Sequence, residues 1–262
     1  YNPDAVAVVI GNRNYEHNDI PPVDYAHHDA EIMKQYLINT LGYKEGNILF
    51  EKDASKTKFE GLFGIPGNHK GEVYDYIKPN RSDVFVYYSG HGAPDLDNMK
   101  GYFVPTDCDP ERVALNGYSL DLLYENLSKL EARKVTVVLE ACFSGATNTG
   151  IYLAKSASPA LINVDMRMLS VGNITVLTSS DSNQISSWYD EMNHGLFTYF
   201  FLQAIGGAAD TDQNNQITFQ EIHNYVADRS EGVPYWAKRL HGGRTQTPML
   251  YSNRSDDVFV SH

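Results

Sequence analysis

Apolar runs without polar alternation mark five strands along the chain. They lie at residues 5–10, 47–51, 83–89, 135–139 and 173–179. Runs of this kind are typical of strands that are buried on both faces of a parallel sheet. Between them, apolar residues at helical spacing predict helices. The predicted helices span residues 25–41, 55–62, 71–77, 119–130, 195–205 and 218–229.

Strands that alternate with helices predict an α/β domain with a mainly parallel central sheet flanked by helices. Residues 1–262 contain no internal repeat and no low-complexity linker, which indicates a single domain. Two shorter elements complete the pattern. Residues 101–105 are expected to form one arm of a small hairpin, and residues 247–251 an edge strand, where Pro248 is tolerated.

The strand at 135–139 runs directly into Glu140-Ala141-Cys142 and a turn of small residues. Functional groups of parallel sheets lie at the carboxyl ends of their strands. Cys142 therefore stands where a positioned nucleophile is expected. The alternative is a buried structural thiol, because free cysteine is among the most buried residue types.

A histidine between two glycines, His91 in Ser89-Gly90-His91-Gly92, ends another apolar strand. Glycine permits positive φ and a close approach of the backbone to a ligand. The predicted helix at 119–130 supplies a right-handed crossover between the His91 strand and the Cys142 strand, which makes them neighbours in one parallel sheet. The two side chains are therefore expected to meet. The alternative is a turn that happens to contain histidine.

A cysteine becomes an effective nucleophile as a thiolate, for which it needs a base or a nearby imidazolium. His91 supplies that group to Cys142. The backbone N–H groups of Gly92 and Cys142 are candidate donors to a tetrahedral oxyanion. Together these residues predict an acyl-transfer site of the Cys/His type, most simply a peptidase.

The composition narrows the range of partners. The chain has 262 residues and a net charge of -12, which argues against nucleic acid and anionic membranes as partners. No apolar run approaches the ~18 residues that a membrane span needs. The two cysteines, Cys108 and Cys142, form no disulfide framework, which fits the cytoplasm or an extracellular fold without disulfides. We expect the cytoplasm, but the chain begins at Tyr1 and not at Met, so a missing signal peptide is uninformative.

Several motifs together resemble the caspase-like cysteine peptidases of clan CD, and most of all their metacaspase and bacterial caspase-homologue (orthocaspase) branch. The main motifs are Tyr-Tyr-Ser-Gly-His-Gly at 87–92 and Glu-Ala-Cys-Phe-Ser-Gly at 140–145. The motifs at 11–15, 28–33 and 194–198 extend the resemblance over nearly the whole chain. The caspase signature Gln-Ala-Cys-x-Gly is not met. The resemblance implies a three-layer α/β sandwich, with His91 as proton carrier and Cys142 as nucleophile.

The resemblance also implies a pocket that reads the substrate. Metacaspase-type relatives recognise Arg or Lys through an Asp in the first helix, an acid two residues before the cysteine and a Ser before the histidine. The matching positions are Asp29, Glu140 and Ser89, and Asp181 is a candidate further wall. No arginine stands at residues 21–24, where an enzyme that reads Asp is expected to have one.

The geometry of a strand supports this pocket. Residues two apart point to the same face, so Glu140 is expected beside Cys142. Two carboxylates there would hold a guanidinium by paired hydrogen bonds. Glu in place of the usual Asp lengthens the arm by one carbon, which leaves the choice between Arg and Lys open. The alternative for Asp29 is an ordinary acid at a helix N-terminus.

A twelve-residue motif at 210–221 has the spacing of a calcium-binding loop. Asn215 stands where glycine is usual, and Asn tolerates the left-handed geometry that this position needs. The alternative is a polar loop that caps a helix without metal. We expect Ca²⁺ in a structural or regulatory role and no cofactor for the chemistry. The candidate ligands are Asp210, Asp212, Asn214, Gln216 through its carbonyl, Thr218 and Glu221.

Residues 146–172 show no periodicity and are rich in Ala, Ser, Asn and Gly. A connection this long is usually functional or mobile. Caspase-like proteins are cut into large and small portions in this region, so Lys155 and Arg167 are candidate self-processing sites of a zymogen. The alternative is a loop that merely contains two cations.

These patterns predict a cysteine endopeptidase that cleaves protein or peptide substrates after Arg or Lys. Two alternatives stay open. One is a catalytically silent caspase-like signalling or calcium-binding module, and the other is an enzyme that keeps the dyad but cleaves after Asp. No nucleic-acid or membrane partner is expected. Metacaspases usually do not dimerise, so the resemblance favours a monomer.

Overall fold

A six-stranded sheet forms the centre of the computed structural model, which describes residues 2–95, 100–141, 172–181 and 184–262. Five strands are parallel, and the sixth, at one edge, is antiparallel to its neighbour. The predicted mainly parallel sheet is therefore confirmed. Numbered in chain order and given in spatial order, the strands are Met249–Tyr251 (β12), Ile174–Thr178 (β8), Lys134–Glu140 (β7), Asp83–Ser89 (β3), Val6–Gly11 (β1) and Ile48–Lys52 (β2).

Strands β3 and β7 are direct neighbours and pair in parallel from Asp83 opposite Lys134 to Ser89 opposite Glu140. Paired residues of neighbouring strands share a face of the sheet, and so do residues two apart on one strand. The side chains of Tyr87, Ser89 and Glu140 therefore project from one face. This register places a hydroxyl and a carboxylate side by side at the carboxyl ends of the two central strands.

Helices cover both faces of the sheet and give the predicted three layers. One apolar cluster joins the sheet to α1, α6, α7 and α8, and a second joins the other face to α2, α3 and α5. No helix in the described ranges is both long and apolar enough to cross a membrane. The helices are Ala26–Asn39 (α1), Lys56–Phe63 (α2), Glu72–Asp75 (α3), Val113–Asn116 (α4), Leu120–Ser128 (α5), Leu196–Gln203 (α6), Phe219–Val226 (α7) and Val233–Leu240 (α8).

In the described ranges, short strands outside the central sheet form three small sheets. The predicted hairpin arm is the central strand of the first, and the hairpin of the second leads straight into α6. The small sheets consist of Gly92–Asp95 (β4), Lys100–Phe103 (β5) and Tyr118–Ser119 (β6); Trp188–Tyr189 (β9) and His194–Gly195 (β10); and Gln216–Thr218 (β11) with Val258–Ser261 (β13).

Several described elements differ from the sequence predictions, and α3, α8 and β13 are examples. The helix expected at 71–77 is the single turn α3. Helix α8 was not predicted; it has only eight residues, with Pro234 in its first turn. Strand β13 was missed because it lies at the chain end and depends on pairing with β11, which no local pattern reveals.

Candidate active site

His91 lies directly after β3, at the carboxyl end of the sheet, and is almost fully buried. Its backbone N–H donates to the hydroxyl of Tyr15 at 2.9 Å, and the two rings lie with their centroids 5.0 Å apart. The Tyr15 hydroxyl in turn donates to the carbonyl of Asn12, the residue that follows β1. The ends of two neighbouring strands therefore hold this histidine.

The Pro21 carbonyl fixes the tautomer of His91. It lies 2.8 Å from Nε2, and because a carbonyl only accepts hydrogen bonds, Nε2 must carry the proton. Nδ1 is then the nitrogen that can accept a proton. Burial lowers the pKa of His91 to about 4, so the ring is neutral near pH 7. A neutral imidazole held in one tautomer is suited to act as a general base.

The glycines beside His91 do not adopt positive φ, which corrects the expectation for this turn, and Gly90 acts through close packing. Neither Gly90 nor Gly92 has a positive φ. A side chain at Gly90 would lie 2.5 Å from the Tyr88 hydroxyl, and that hydroxyl donates to the His91 carbonyl at 2.7 Å. Gly92 is the first residue of β4, next to His91.

A cleft of about 530 Å³, including its open mouth, lies at the carboxyl ends of β3 and β7. Four of the candidate residues line it together: Asp29, Ser89, His91 and Glu140. Asp29 comes from the first turn of α1, whereas Ser89 and Glu140 are the last residues of β3 and β7. Parts of the chain that are distant in sequence thus converge beside the imidazole.

The two carboxylates of the cleft have different hydrogen bonds. Asp29 Oδ1 lies 2.6 Å from His194 Nδ1, and Oδ2 accepts from the Gly195 N–H at 2.9 Å. Glu140 uses only one oxygen, since Oε2 accepts from both the N–H and the hydroxyl of Thr198, at 2.7 and 2.9 Å. Both oxygens of Asp29 therefore contact the protein, whereas only Oε2 of Glu140 does so among the described residues.

Two buried polar atoms of the cleft, Glu140 Oε1 and Ser89 Oγ, have no hydrogen-bond partner among the described residues. No lysine or arginine is among the described residues that line the cleft. Burial, and then the charge of Asp29, raises the pKa of Glu140 to about 8, and burial raises the pKa of Asp29 well above its usual range. Since buried polar atoms are nearly always paired, this arrangement suits a hydrogen-bond donor with a positive charge.

Apolar and aromatic side chains complete the lining of the cleft. The rings of Tyr25 and Trp188 pack edge to face with centroids 5.7 Å apart, and the Tyr25 hydroxyl donates to Asp190 at 3.0 Å. Asp181, expected as a further wall, is not among the lining residues. It lies just beyond β8, where its carbonyl accepts from the N–H of Gln184 in a turn.

The expected nucleophile, Cys142, lies outside the described residues, and so do the candidate processing residues Lys155 and Arg167. Strand β7 ends at Glu140, and the following Ala141 lines the cleft. The described part of the chain therefore reaches the cleft one residue before the cysteine.

The candidate calcium loop, residues 210–221, contains β11 and ends in the first turn of α7. Carboxylate oxygens of Asp210, Asp212 and Glu221 lie within 4.8 Å of one another. Asn215 has a φ of 61°, the left-handed geometry that the loop motif requires at this position. Polar groups of the loop also form hydrogen bonds with one another. Backbone N–H groups donate to Asp210, Asp212 and Asn214, and Glu221 pairs with Thr218 in a capping box at α7. Gln216 begins β11.

Comparisons with known proteins identify the family. A model of the caspase domain matches residues 4–260, so the chain belongs to the caspase-domain family of clan CD. Caspase-1 from Spodoptera frugiperda has a similar structure, with a TM-score of 0.62 and 12% identity over 96% of this chain and 87% of that one. A protein from Geobacter sulfurreducens also has a TM-score of 0.62, with 16% identity over 96% and 94% of the two chains. A search of curated proteins finds no significant match.

Membership of this family makes the chain a cysteine peptidase in general, acting on protein substrates. The solved structures, at these low identities, support the fold, and the predicted caspase-like sandwich is confirmed.

Sequence reasoning missed several residues of the site, among them Tyr15, Pro21 and Thr198. Tyr15 and Thr198 belong to the motifs at 11–15 and 194–198, which were the only signal for them. Pro21 acts through its backbone carbonyl, which every residue has, so no side-chain pattern marks its role.

Proposed function

We propose that the chain is an endopeptidase with a Cys142/His91 dyad that hydrolyses peptide bonds after Arg or Lys. One observation carries this proposal. Beside His91 lies a buried acidic cleft in which Glu140 Oε1 and Ser89 Oγ have no described hydrogen-bond partner. A basic side chain of a substrate supplies both the missing donors and the missing charge.

The chemistry follows from the tautomer of His91. Nδ1 takes the thiol proton of Cys142, and the thiolate attacks the carbonyl carbon of the scissile bond. The N–H groups of Gly92 and Cys142 stabilise the resulting oxyanion. As the C–N bond breaks, His91 returns the proton to the leaving amine. Water then hydrolyses the thioester with His91 as base, which regenerates the thiol. Throughout, the Pro21 carbonyl accepts from Nε2 and keeps the imidazole in place.

The specificity follows from charge and donor number. Arg carries five N–H donors and Lys three, and either cation favours the ionised forms of Glu140 and Asp29. The methylene groups of both side chains pack against apolar walls such as Trp188 and Tyr25. An aspartate in the same position has no donor and repels two carboxylates. We therefore expect cleavage after basic residues and not after Asp.

Fluorogenic peptides that differ only in the residue before the cleaved bond test this function. Arg, Lys, Gln and Asp are compared, with and without calcium, for wild type, Cys142→Ala and Glu140→Gln. We expect activity on Arg or Lys, none for Cys142→Ala, and a loss of about 10²–10³-fold for Glu140→Gln on basic peptides only, as for a charged group left without its partner. Glu111→Gln, an exposed acid outside the cleft, is the matched control.

The same experiment separates the other functions. Cleavage only after Asp contradicts the basic specificity but leaves the dyad in place. Wild type that is inactive on all four peptides, and indistinguishable from Cys142→Ala, contradicts the peptidase and favours a silent signalling or calcium-binding module.

We also propose self-processing after Lys155 or Arg167, because both residues match the specificity of the cleft. Incubated wild type is expected to give two fragments whose masses correspond to one of these bonds. Cys142→Ala should remain intact, and the double variant Lys155→Gln/Arg167→Gln should resist cleavage while still hydrolysing peptides. Fragments that form equally in Cys142→Ala contradict the proposal.

We propose that residues 210–221 bind Ca²⁺. The three close carboxylates and the left-handed Asn215 are the supporting observations. Calorimetry with CaCl₂ should show binding, and Ca²⁺ should raise the melting temperature by stabilising the folded state. Asp210→Ala should abolish both effects, while Asp256→Ala, an exposed acid outside the loop, should keep them. If calorimetry shows no heat of binding and the melting temperature does not change, the calcium site is contradicted.

We propose that the enzyme acts as a monomer. Strand β12, at one edge of the central sheet, has only three residues, and a short edge offers few backbone groups to a second copy. Light scattering should give a mass near 29.4 kDa at assay concentrations. Twice that mass contradicts the proposal.

A further inference from the structure

Residues 194–198 lie where a hairpin passes into a helix. His194 and Gly195 form β10, which pairs with β9, and α6 begins at Leu196. Thr198 is the third residue of α6, so its N–H is one of the helical donors without a partner inside the helix. This short segment contacts both carboxylates of the cleft.

The first half of the segment holds Asp29. His194 Nδ1 and the Gly195 N–H each contact one of its oxygens, at 2.6 and 2.9 Å. The His194 ring also lies against His28, with centroids 4.6 Å apart. Asp29 thus has a fixed orientation at the start of α1.

The second half holds Glu140 by one oxygen only. Thr198 donates to Oε2 from its backbone and from its hydroxyl. The Thr198 hydroxyl also lies 2.7 Å from that of Tyr87. Because the Thr198 proton points to the carboxylate, the Tyr87 hydroxyl donates to Thr198. A chain of hydrogen bonds therefore runs from the sheet core to Oε2, while Oε1 has no partner among the described residues.

Gly195 is needed for this close fit. A Cβ at this position would lie 2.5 Å from Glu140 Oε2 and 2.6 Å from its Cδ. Any larger residue would displace the carboxylate that Thr198 holds. The glycine therefore serves both acids: its N–H binds Asp29, and its missing side chain makes room for Glu140.

We infer that Thr198 is a positioning residue for substrate specificity, which orients Glu140 so that Oε1 receives the basic side chain of the substrate. This inference rests on the proposed function. It explains why one oxygen of a buried glutamate accepts two hydrogen bonds while the other accepts none from the described residues. Thr198 acts on the substrate only through Glu140 and takes no part in bond cleavage.

The electrostatics of the cleft agree with this role. Burial and then the charge of Asp29 raise the pKa of Glu140 to about 8, while hydrogen bonding from Thr198 and, to a smaller extent, from Ser179 lowers it. Asp29 on α1, Tyr87 on β3, His91 after β3 and His194 on β10 are the titratable groups around it. Loss of the Thr198 hydroxyl should therefore keep Glu140 protonated to a higher pH.

Three variants test the inference. Thr198→Val keeps the shape and the backbone donor but removes the hydroxyl, and Thr198→Ser restores it. Thr136→Val changes another buried threonine, at the other end of β7, and serves as the control. For Thr198→Val we expect KM for Arg and Lys peptides to rise about tenfold with kcat within about twofold, as for one lost hydrogen bond to a charged group. Thr198→Ser should recover wild-type KM.

A pH profile supplies the second readout. The kcat/KM of wild type for an Arg peptide should rise with pH as Glu140 ionises, and this rise should move to higher pH in Thr198→Val only. Unchanged KM and an unchanged pH profile overturn the inference, as does a Thr198→Ser variant as impaired as Thr198→Val. If Thr198→Val does not fold, Tyr87→Phe, which removes the donor to Thr198, should give the same shifts in smaller measure.

The outcome also distinguishes this inference from the proposed function. If wild type shows no preference for Arg or Lys, the proposed specificity is wrong and the role of Thr198 falls with it. If wild type prefers basic peptides but Thr198→Val is unaffected, only the role of Thr198 is overturned.

Discussion

The pairing between β3 and β7 has a buried carboxylate at each end, and the two ends differ in one respect. At the amino end, Asp83 pairs with Arg133: Nε donates to Oδ1 at 2.8 Å, Nη2 donates to Oδ2, and Lys134 Nζ lies 4.0 Å away. At the carboxyl end, Glu140 has no basic side chain among the described residues of its cleft and keeps Oε1 unpaired. Both carboxylates are 6% exposed as residues, so burial alone does not separate them.

The difference distinguishes Asp83, whose charge is compensated within the chain, from Glu140, which we propose binds a group from outside. A buried charge is stable when a partner and hydrogen bonds compensate for its lost hydration, and Asp83 has both within the chain. Glu140 has the hydrogen bonds but not the cation, and its pKa is raised as a result. This contrast supports the proposal that a cation from a substrate binds at the carboxyl end of the sheet.

The largest effect is expected when the carboxyl end is given its own cation. Glu140→Lys should abolish cleavage after Arg and Lys, by about 10³-fold or more in kcat/KM, since a like charge now meets the substrate in a buried site. Peptide kinetics measure the change. Glu111→Lys makes the same charge change on an exposed residue and should be near wild type. A loss of less than tenfold would show that Glu140 does not face the substrate.

A second test removes the charge from Glu140 and measures stability against pH. The folded pKa of about 8 lies above the ordinary value of 4.5, so the folded protein binds more protons than the unfolded chain between these values. Glu140 therefore lowers the stability of wild type as pH rises through this window, and Glu140→Gln lacks this contribution while it keeps that of Asp29. The stability of Glu140→Gln relative to wild type should grow by up to about 4 kcal/mol between pH 5 and 9. Urea unfolding at each pH measures it; parallel curves contradict the raised pKa.

A third test leaves the amino-end carboxylate unpaired. Arg133→Gln should lower the free energy of unfolding by about 1–3 kcal/mol, because Asp83 stays buried without its main partner. Arg133 itself is half exposed, which keeps the loss below that of a fully buried pair. The kcat/KM for basic peptides should not change, since this pair lies at the opposite end of the strands. A specific loss of activity at unchanged stability would contradict the structural role.

The smallest effect is expected from Tyr15→Phe, which changes a contact of His91 and leaves Asp29 and Glu140 untouched. The variant removes the acceptor of the His91 N–H but keeps the ring that packs on the imidazole. One neutral hydrogen bond corresponds to about 1 kcal/mol, so kcat should fall about fivefold with KM unchanged. Tyr76→Phe, on an exposed tyrosine, is the control. A rise in KM instead would place Tyr15 in substrate binding.

Much of this site follows from the sequence because it depends on strand ends and on side-chain identity. Apolar runs located β3 and β7, and the crossover helix α5 made them neighbours, so His91, Ser89 and Glu140 were expected at one edge of the sheet. Asp29 was placed by the resemblance and not by any local pattern.

What the sequence did not reveal depends on backbone atoms and on contacts between distant segments. The Pro21 carbonyl has no side-chain signature. The hydrogen bonds from Thr198 to Glu140 depend on how α6 packs against β7. The expectation of positive φ at the glycines beside His91 was wrong. Glycine is needed at position 90 for another reason, since a side chain there would collide with Tyr88. Asp181, expected as a further wall, does not line the described cleft, because the end of a strand does not fix the path of the loop that follows it.

The burial of Glu140 also affects how ligand binding will be measured. At pH 7 a carboxyl group with a pKa near 8 is mostly protonated, so a guanidinium that enters the cleft must expel that proton into the buffer. The heat of binding of an arginine-based inhibitor will then include the heat with which the buffer takes up the proton. Titrations in phosphate and in Tris, which differ widely in that heat, should give different apparent enthalpies for one and the same affinity.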